Sequence, residues 1–229
     1  MSKQPNREIA GRGPGAKTAT PATVRVPGVF VDRDGTLNEE VGYMNHLARL
    51  QLFPWSGEAV RKLNEAGLPV VAVTNQSGIA RGYFTEELLH QVHEEIARQL
   101  GARSARIDAF YYCPHHPEGP LPAYRLACRC RKPATGMVEE GARRLHLDLA
   151  SSYIVGDSYR DMQLGFNAGL RTILVMTGYG RGEFEYHARQ WPRQPEHVVE
   201  NLLEAATLIL EDLPARSPSV GAAPVEPNL

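Results

Sequence analysis

Short apolar runs rich in β-branched residues recur along this chain, separated by stretches of helical periodicity. Val29-Phe-Val31, Leu68-Pro-Val-Val-Ala-Val73, Ile107 to Tyr112, Tyr153-Ile-Val155 and Thr172-Ile-Leu-Val-Met176 read as strands. Ala59, Val60 and Leu63 mark a helix stopped by Gly67. Thr85 caps another, in which Leu88, Leu89, Val92, Ile96 and Leu100 share one face. Further helices are predicted over Met137 to Leu145, around Met162 to Ala168, and over Val198 to Leu213. Such alternation leaves few options. It predicts an α/β fold, a three-layer αβα sandwich around a mainly parallel sheet.

One domain over 25–213 accounts for the whole alternation. Residues 1–24 read as a flexible arm rich in Gly and Pro, and residues 214–229 as a flexible tail. Within the arm, Gly11-Arg-Gly-Pro-Gly-Ala-Lys-Thr18 nearly spells a phosphate-binding loop. Ala16 replaces the glycine before the lysine and no strand precedes it, so that reading fails. A net charge of −1 gives no ground for a nucleic-acid partner or an anionic membrane surface. No run of about 18 apolar residues occurs, and the opening residues have no apolar stretch like that of a secretory leader. A cytoplasmic monomer is the expectation.

In open α/β sheets, ligands sit beyond the carboxyl ends of the strands. Asp32-Arg-Asp34-Gly35-Thr36 follows the first run, and Thr74-Asn75-Gln76-Ser77-Gly78 the second. Arg131-Lys132-Pro133 lies after the third, and Gly156-Asp157 follows the fourth, with Asp161 four residues on. Taken singly, these are ordinary: an Asp-x-Asp turn, a Thr-Asn turn, a helix start, a surface lysine. Collected on one edge in this order they suit phosphoryl transfer. Asp32 and Asp157 repel unless a divalent cation lies between them, and oxygen ligands favour Mg²⁺. A carboxylate can attack phosphorus, a second one can protonate the leaving alkoxide, and Thr74 and Lys132 can meet phosphoryl oxygens.

These four motifs, in order, resemble those of the haloacid dehalogenase-like (HAD) phosphatases, over roughly residues 28–178. The resemblance implies that Asp32 is the nucleophile and Asp34 the general acid, later the base. It also implies that Asp32, the Asp34 backbone carbonyl and Asp157 hold Mg²⁺, with Asp161 supporting them from behind. Thr74 and Lys132 would stabilise the phosphoryl group. The interval between the first motif and Thr74 is too short for a large cap domain.

All three cysteines fall into Cys113-Pro-His115, twelve intervening residues, then Cys128-Arg-Cys130. Those four ligands suit tetrahedral Zn²⁺, and the Pro- and Gly-rich loop 113–130 has little apolar content to fold itself. His116 is the poorer candidate, and His90 and His93 read as surface residues. The knuckle resembles the histidinol-phosphatase-like subgroup of the family. Its twelve-residue interval resembles that of the subgroup's sugar-bisphosphate enzymes, since the interval is typically shorter in the histidinol-phosphatases. That likeness implies a small phosphosugar substrate contacted by Glu40, Val41, Gly42, Tyr43, Asn75, Gln76, Ser77 and Arg131. A histidinol-phosphate or broader sugar-phosphate phosphatase is the nearest alternative. A zinc-stabilised protein that binds phosphosugars without turnover is the alternative of another class, but it has no need of an Asp32/Asp34 pair. A DNA 3′-phosphatase would need a basic stripe that this core lacks. In the aromatic segment 178–195, Tyr179, Phe184, Tyr186 and Trp191 are expected to be packing residues.

Overall fold

The computed structural model describes residues 25–213. Chain order runs β1 (Val29–Val31), α1 (Ser56–Glu65), β2 (Val70–Asn75), α2 (Glu86–Gly101), β3 (Ala109–Cys113), α3 (Gly136–Leu145), β4 (Tyr153–Gly156), α4 (Tyr159–Ala168), β5 (Arg171–Val175), α5 (Gly180–His187), β6 (His197–Val199) and α6 (Leu202–Asp212). All six strands are parallel and ordered β3-β2-β1-β4-β5-β6. The expected arm and tail, with the Gly11–Thr18 stretch, lie outside the described residues.

The period-two alternation of the strands sets the layers. Val29 and Val31 of β1, with Val70, Ala72, Tyr153 and Val155, bury one face against Val60 and Leu63 of α1, Val92 and Ile96 of α2, and Leu202 and Ile209 of α6. Phe30, Val71, Val73 and Ile154 face the other way, against Met137 and Val138 of α3 and Leu164 of α4. Each such aliphatic side chain contributes roughly 1.5–3 kcal/mol of burial free energy. The result is the predicted three-layer αβα sandwich.

The sheet also fixes where its ends meet. Strand order diverges on either side of the β1/β4 neighbours, the place where such sheets open a crevice. Val31 pairs with Val155, and the Asp32 amide donates to the Val155 carbonyl at 2.9 Å. Asp32 and Asp157 therefore leave adjacent strands side by side.

The predicted final helix is two elements. Val198 and Val199 pair with Leu174 and Val175 as an edge strand, and Asn201 then starts α6 by accepting from the Leu203 and Glu204 amides. β-Branching and a capping side chain override the continuous helical pattern there. Helix α4 begins earlier than the periodicity indicates, at a capping box made by Ser158 and Asp161. Among the aromatics of 178–195, Trp191 stacks on Tyr159 at 4.4 Å between ring centroids, and Phe184 meets Trp191 edge-on. Tyr179 and Tyr186 are 55 % and 76 % exposed, so they are not packing residues.

Candidate active site

At the crevice lies a cavity of about 290 Å³, lined among others by Asp32, Asp34, Thr74, Lys132 and Asp157. Two charge networks meet in it. In the first, the buried Lys132 ammonium donates to Asp161 Oδ1 at 2.6 Å and to the Val73 carbonyl at 3.0 Å, and sits 2.7 Å from Asp32 Oδ1. Its backbone is clamped by Asn75, whose Oδ1 accepts from the Lys132 amide at 3.0 Å while Nδ2 donates to the Lys132 carbonyl at 3.2 Å. That clamp from β2 buries a lysine that the sequence alone would leave on the surface. Burial works against its charge, yet Asp161 and Asp32 hold its pKa above the ordinary range.

Asp32 Oδ1 also accepts from the Arg33 amide at 2.7 Å. Its Oδ2 has no hydrogen-bond partner among the described residues. Asp157 Oδ2 accepts from the Tyr179 amide at 2.9 Å. Asp161, wholly buried, spends Oδ1 on Lys132 and Oδ2 on the Ser158 hydroxyl at 2.6 Å. Gly35 (φ +83°) is required where β1 ends, because a Cβ there would stand 2.0 Å from Asp157 Oδ2.

The second network holds Asp34. Arg33, fully buried, reaches it with Nη2 at 2.9 and 2.7 Å to the two oxygens and with Nε at 3.1 Å. Asn38 Nδ2 donates to it at 3.0 Å, and Gln76 Nε2 donates to it at 2.8 Å and to Thr74 Oγ1 at 2.8 Å. Burial pushes the Asp34 carboxyl up, but the Arg33 guanidinium and these amides outweigh it and hold the pKa below the ordinary value. Asp32 is the opposite case. Burial and the neighbouring Asp161 and Asp34 charges raise it to about 7 despite Lys132. Burial, then Asp32 and Asp161, drive Asp157 well up too.

Those shifts are a fit test for a metal. The carboxylates of Asp32, Asp157 and Asp161 offer oxygens within 4.8 Å of one another. Set against the Lys132 ammonium, three carboxylates leave two negative charges, the deficit a divalent cation cancels. With both Asp161 oxygens committed, Asp32 and Asp157 are the side chains with oxygens to spare. The donor set fits Mg²⁺.

The other cluster joins Cys113, His115, Cys128 and Cys130, whose ligand atoms also lie within 4.8 Å of one another. Cys113 Sγ is 3.4 Å from Cys128 Sγ, Cys130 Sγ is 3.2 Å from Cys128 Sγ, and His115 Nδ1 is 3.4 Å from Cys130 Sγ. A tetrahedron with metal–sulfur bonds of about 2.3 Å has edges of about 3.8 Å, so these atoms need only spread by a few tenths of an ångström. His116 turns away; its Nδ1 accepts from the Glu118 amide and its Nε2 lies 3.4 Å from Arg81 Nη2.

Of the residues expected to touch substrate, Glu40, Gly42, Tyr43, Asn75, Gln76 and Ser77 line the cavity. Val41 does not; it packs on the core, and its carbonyl accepts from Arg49. Arg131 stands off the lining too, its Nη1 donating to the His115 carbonyl at 3.2 Å. Sequence reasoning passed over Arg33, Ser158, Arg160 and Glu183, and it expected Tyr179, which lines the cavity, to be a packing residue. Ser158 and Arg160 were detectable, since they fill the gap between Asp157 and Asp161 at the head of a helix. His93 is a correction: it is 8 % exposed, stacked on Phe110 at 4.6 Å, with Nε2 3.4 Å from Arg33 Nη1. Its burial against the Arg33 guanidinium, from the bend after β1, is a long-range contact that its helical spacing with His90 does not reveal.

Comparison with known proteins agrees with this geometry. A HAD-hydrolase-like family model matches residues 129–205. The D-glycero-beta-D-manno-heptose-1,7-bisphosphate 7-phosphatase of Yersinia pestis is 43 % identical over 157 residues, 68 % of this chain and 84 % of its own. The chain belongs to the heptose-1,7-bisphosphate 7-phosphatase family of HAD-like hydrolases. By that membership it is a phosphoric monoester hydrolase. The D-glycero-D-manno-heptose-1,7-bisphosphate 7-phosphatase of Thermosynechococcus vestitus is 42 % identical over 194 residues, covering 83 % of this chain and 98 % of that one. Among solved structures, the D,D-heptose 1,7-bisphosphate phosphatase from B. bronchiseptica, complexed with magnesium and phosphate, superposes with a TM-score of 0.72 at 35 % identity. The match covers 82 % of this chain and 99 % of that one. Among the described residues, no helix is long and apolar enough to cross a membrane.

Proposed function

We propose that this protein hydrolyses the C7 phosphate of D-glycero-D-manno-heptose 1,7-bisphosphate, releasing the heptose 1-phosphate. The observation that carries the chemistry is Asp32, in the cavity lining, with one carboxylate oxygen held by Lys132 and the other without a partner among the described residues. The substrate rests on the relatives named above.

Asp32 Oδ2 attacks phosphorus, the bond from phosphorus to the C7 oxygen breaks, and a proton from Asp34 goes to the departing alkoxide. Water then attacks the aspartyl-phosphate, its proton passes to Asp34, and Asp32 is released with inorganic phosphate. As held by Arg33, Asn38 and Gln76, Asp34 is an anion ready for the second step. Carrying a proton in the first step requires it to loosen from Arg33. Thr74 Oγ1 and the Lys132 ammonium meet phosphoryl oxygens where charge builds up. Asp32, Asp157 and the Asp34 carbonyl would hold Mg²⁺, which offsets the charge of an anionic ester met by an anionic nucleophile. Asp161 anchors Lys132 and caps α4. Glu40, Gly42, Tyr43, Gln76 and Ser77 are placed to contact the sugar, and Asn75 works mainly through Lys132.

Cys113, His115, Cys128 and Cys130 hold a structural Zn²⁺ in this reading. It ties down a loop in which only Cys113 and Gly119 are buried. Three unpaired cysteines suit a reducing compartment, in keeping with a cytoplasmic enzyme acting as a monomer. The test is phosphate release from heptose 1,7-bisphosphate (both anomers) against histidinol phosphate, with the remaining phosphate located by ³¹P NMR. Loss of the C7 phosphate first, at a kcat/KM at least tenfold above histidinol phosphate, is the expected result; the reverse preference overturns the substrate. Asp32→Asn should abolish turnover while the protein stays folded by circular dichroism, and full activity in that variant would sink the mechanism.

A further inference from the structure

A bisphosphate brings two anions, and the reaction centre accounts for one. Among the described residues that line the cavity, the only lysine or arginine groups are Lys132 and Arg160. Lys132 is already engaged by Asp32 and Asp161. Arg160 is exposed in the first turn of α4, one residue before Asp161, and makes no hydrogen bond or ion pair with any described residue. The nearby cavity acid Glu183 is committed elsewhere, accepting from the Tyr159 amide at 2.5 Å.

The surroundings of Arg160 are cationic. Arg131 lies within electrostatic reach of both Arg160 and Arg81. Arg81 keeps a buried Nε with no partner, and Arg131 has a carbonyl rather than a carboxylate as its acceptor. Like charges gathered beside a cavity without a paired carboxylate repel one another until an anion arrives.

We propose that Arg160 binds the second, non-reacting phosphate of the substrate, with Arg131 on its flank. This rests on the bisphosphate reading above and assigns a specificity residue to it. A guanidinium fork matches two phosphate oxygens, and this one loses no internal ion pair on binding.

The test compares kcat/KM for heptose 1,7-bisphosphate and for the same sugar phosphorylated only at C7, in wild type, Arg160→Gln and Arg160→Lys. The wild-type preference for the bisphosphate should fall roughly 10- to 100-fold in Arg160→Gln, chiefly through KM, with part retained in Arg160→Lys. A residue that merely supports α4 would slow both substrates alike and leave the ratio intact; that result overturns the assignment. If wild type shows no preference between the two sugars, it is the bisphosphate reading that fails, and Arg160 falls with it.

Discussion

Lys132 and Asp161 offer the sharpest test of how the reaction centre is held together. Their side chains are 4 % and 0 % exposed and 2.6 Å apart. Lys132→Met keeps most of the packing volume but removes the ammonium. Asp32 and Asp161 then lose their shared counter-charge, and the Val73 carbonyl loses its donor. Breaking a buried pair from one side costs about 3–5 kcal/mol. Asp161→Asn keeps an oxygen for the Ser158 hydroxyl and still leaves Lys132 its contact with Asp32, so its cost should be about 1–3 kcal/mol. If the two groups act as a unit, the double variant avoids part of both penalties. It should be more stable than the sum of the singles implies by about 1–3 kcal/mol. Urea unfolding of the four proteins in EDTA, followed by circular dichroism, measures the coupling without a divalent cation masking it. Activity should not return with stability, because the double variant still lacks the ammonium proposed to meet the phosphoryl oxygens. Additivity within about 0.5 kcal/mol would refute the view that Lys132 and Asp161 form one charge unit.

Two further outcomes follow from groups away from the reacting atoms. Burial, aided by the Arg33 charge and opposed by Asp34, lowers His93 from 6.5 to about 3. The unfolded chain then binds a proton below pH 6.5 that the native state refuses, so stability falls as pH drops from about 6.5 toward 3, by about 1.4 kcal/mol per unit. Asp32 and Asp157, raised in the folded state, slope stability the opposite way in both proteins, so the difference in urea stability between wild type and His93→Gln is what should change by that slope between pH 7.5 and 5.5; a difference independent of pH would mean that His93 protonates in the folded state. In the zinc loop, Cys128→Ser should lose about one equivalent of bound zinc, measured by inductively coupled plasma mass spectrometry, and lower the thermal midpoint by several degrees. A variant that keeps its midpoint while losing metal would show that the loop holds itself.

How much was readable in advance depended on how local each cause was. β1, β2 and β4 are buried on both faces, so their residue types alone betray them, and the carboxylates that follow land at one edge because the strands are parallel neighbours. The Cys113, His115, Cys128 and Cys130 cluster was legible because a group that could hold a metal needs few residues at tight spacing. β6 was not. Its three residues adjoin a helical run, and only pairing with β5 separates them. Nor did the sequence reveal which oxygen of each acid is free, because Lys132 is turned inward by Asn75, 57 positions away. The same limit hid the partnership of Arg33 with His93, 60 positions apart.

The residue between the two aspartates turns out to divide their labour. Asp32 and Asp34 are two positions apart and both buried, yet one is pushed up to about 7 and the other held below its ordinary value. The chain bends at Arg33, just past the end of β1, and this breaks the period of two that would put Asp32 and Asp34 on one face: Asp32 faces Lys132 and the other carboxylates, while Asp34 faces Arg33. Arg33 neutralises Asp34 without drawing on Lys132, so the deficit of two charges stays concentrated on Asp32, Asp157 and Asp161, where the divalent site is proposed. Had position 33 been neutral, Asp34 would lose its counter-charge and compete for Lys132 and the cation alike. The segregation of charge into one closed pair and one open set is therefore what would let two neighbouring carboxylates take the proposed roles of nucleophile and proton carrier.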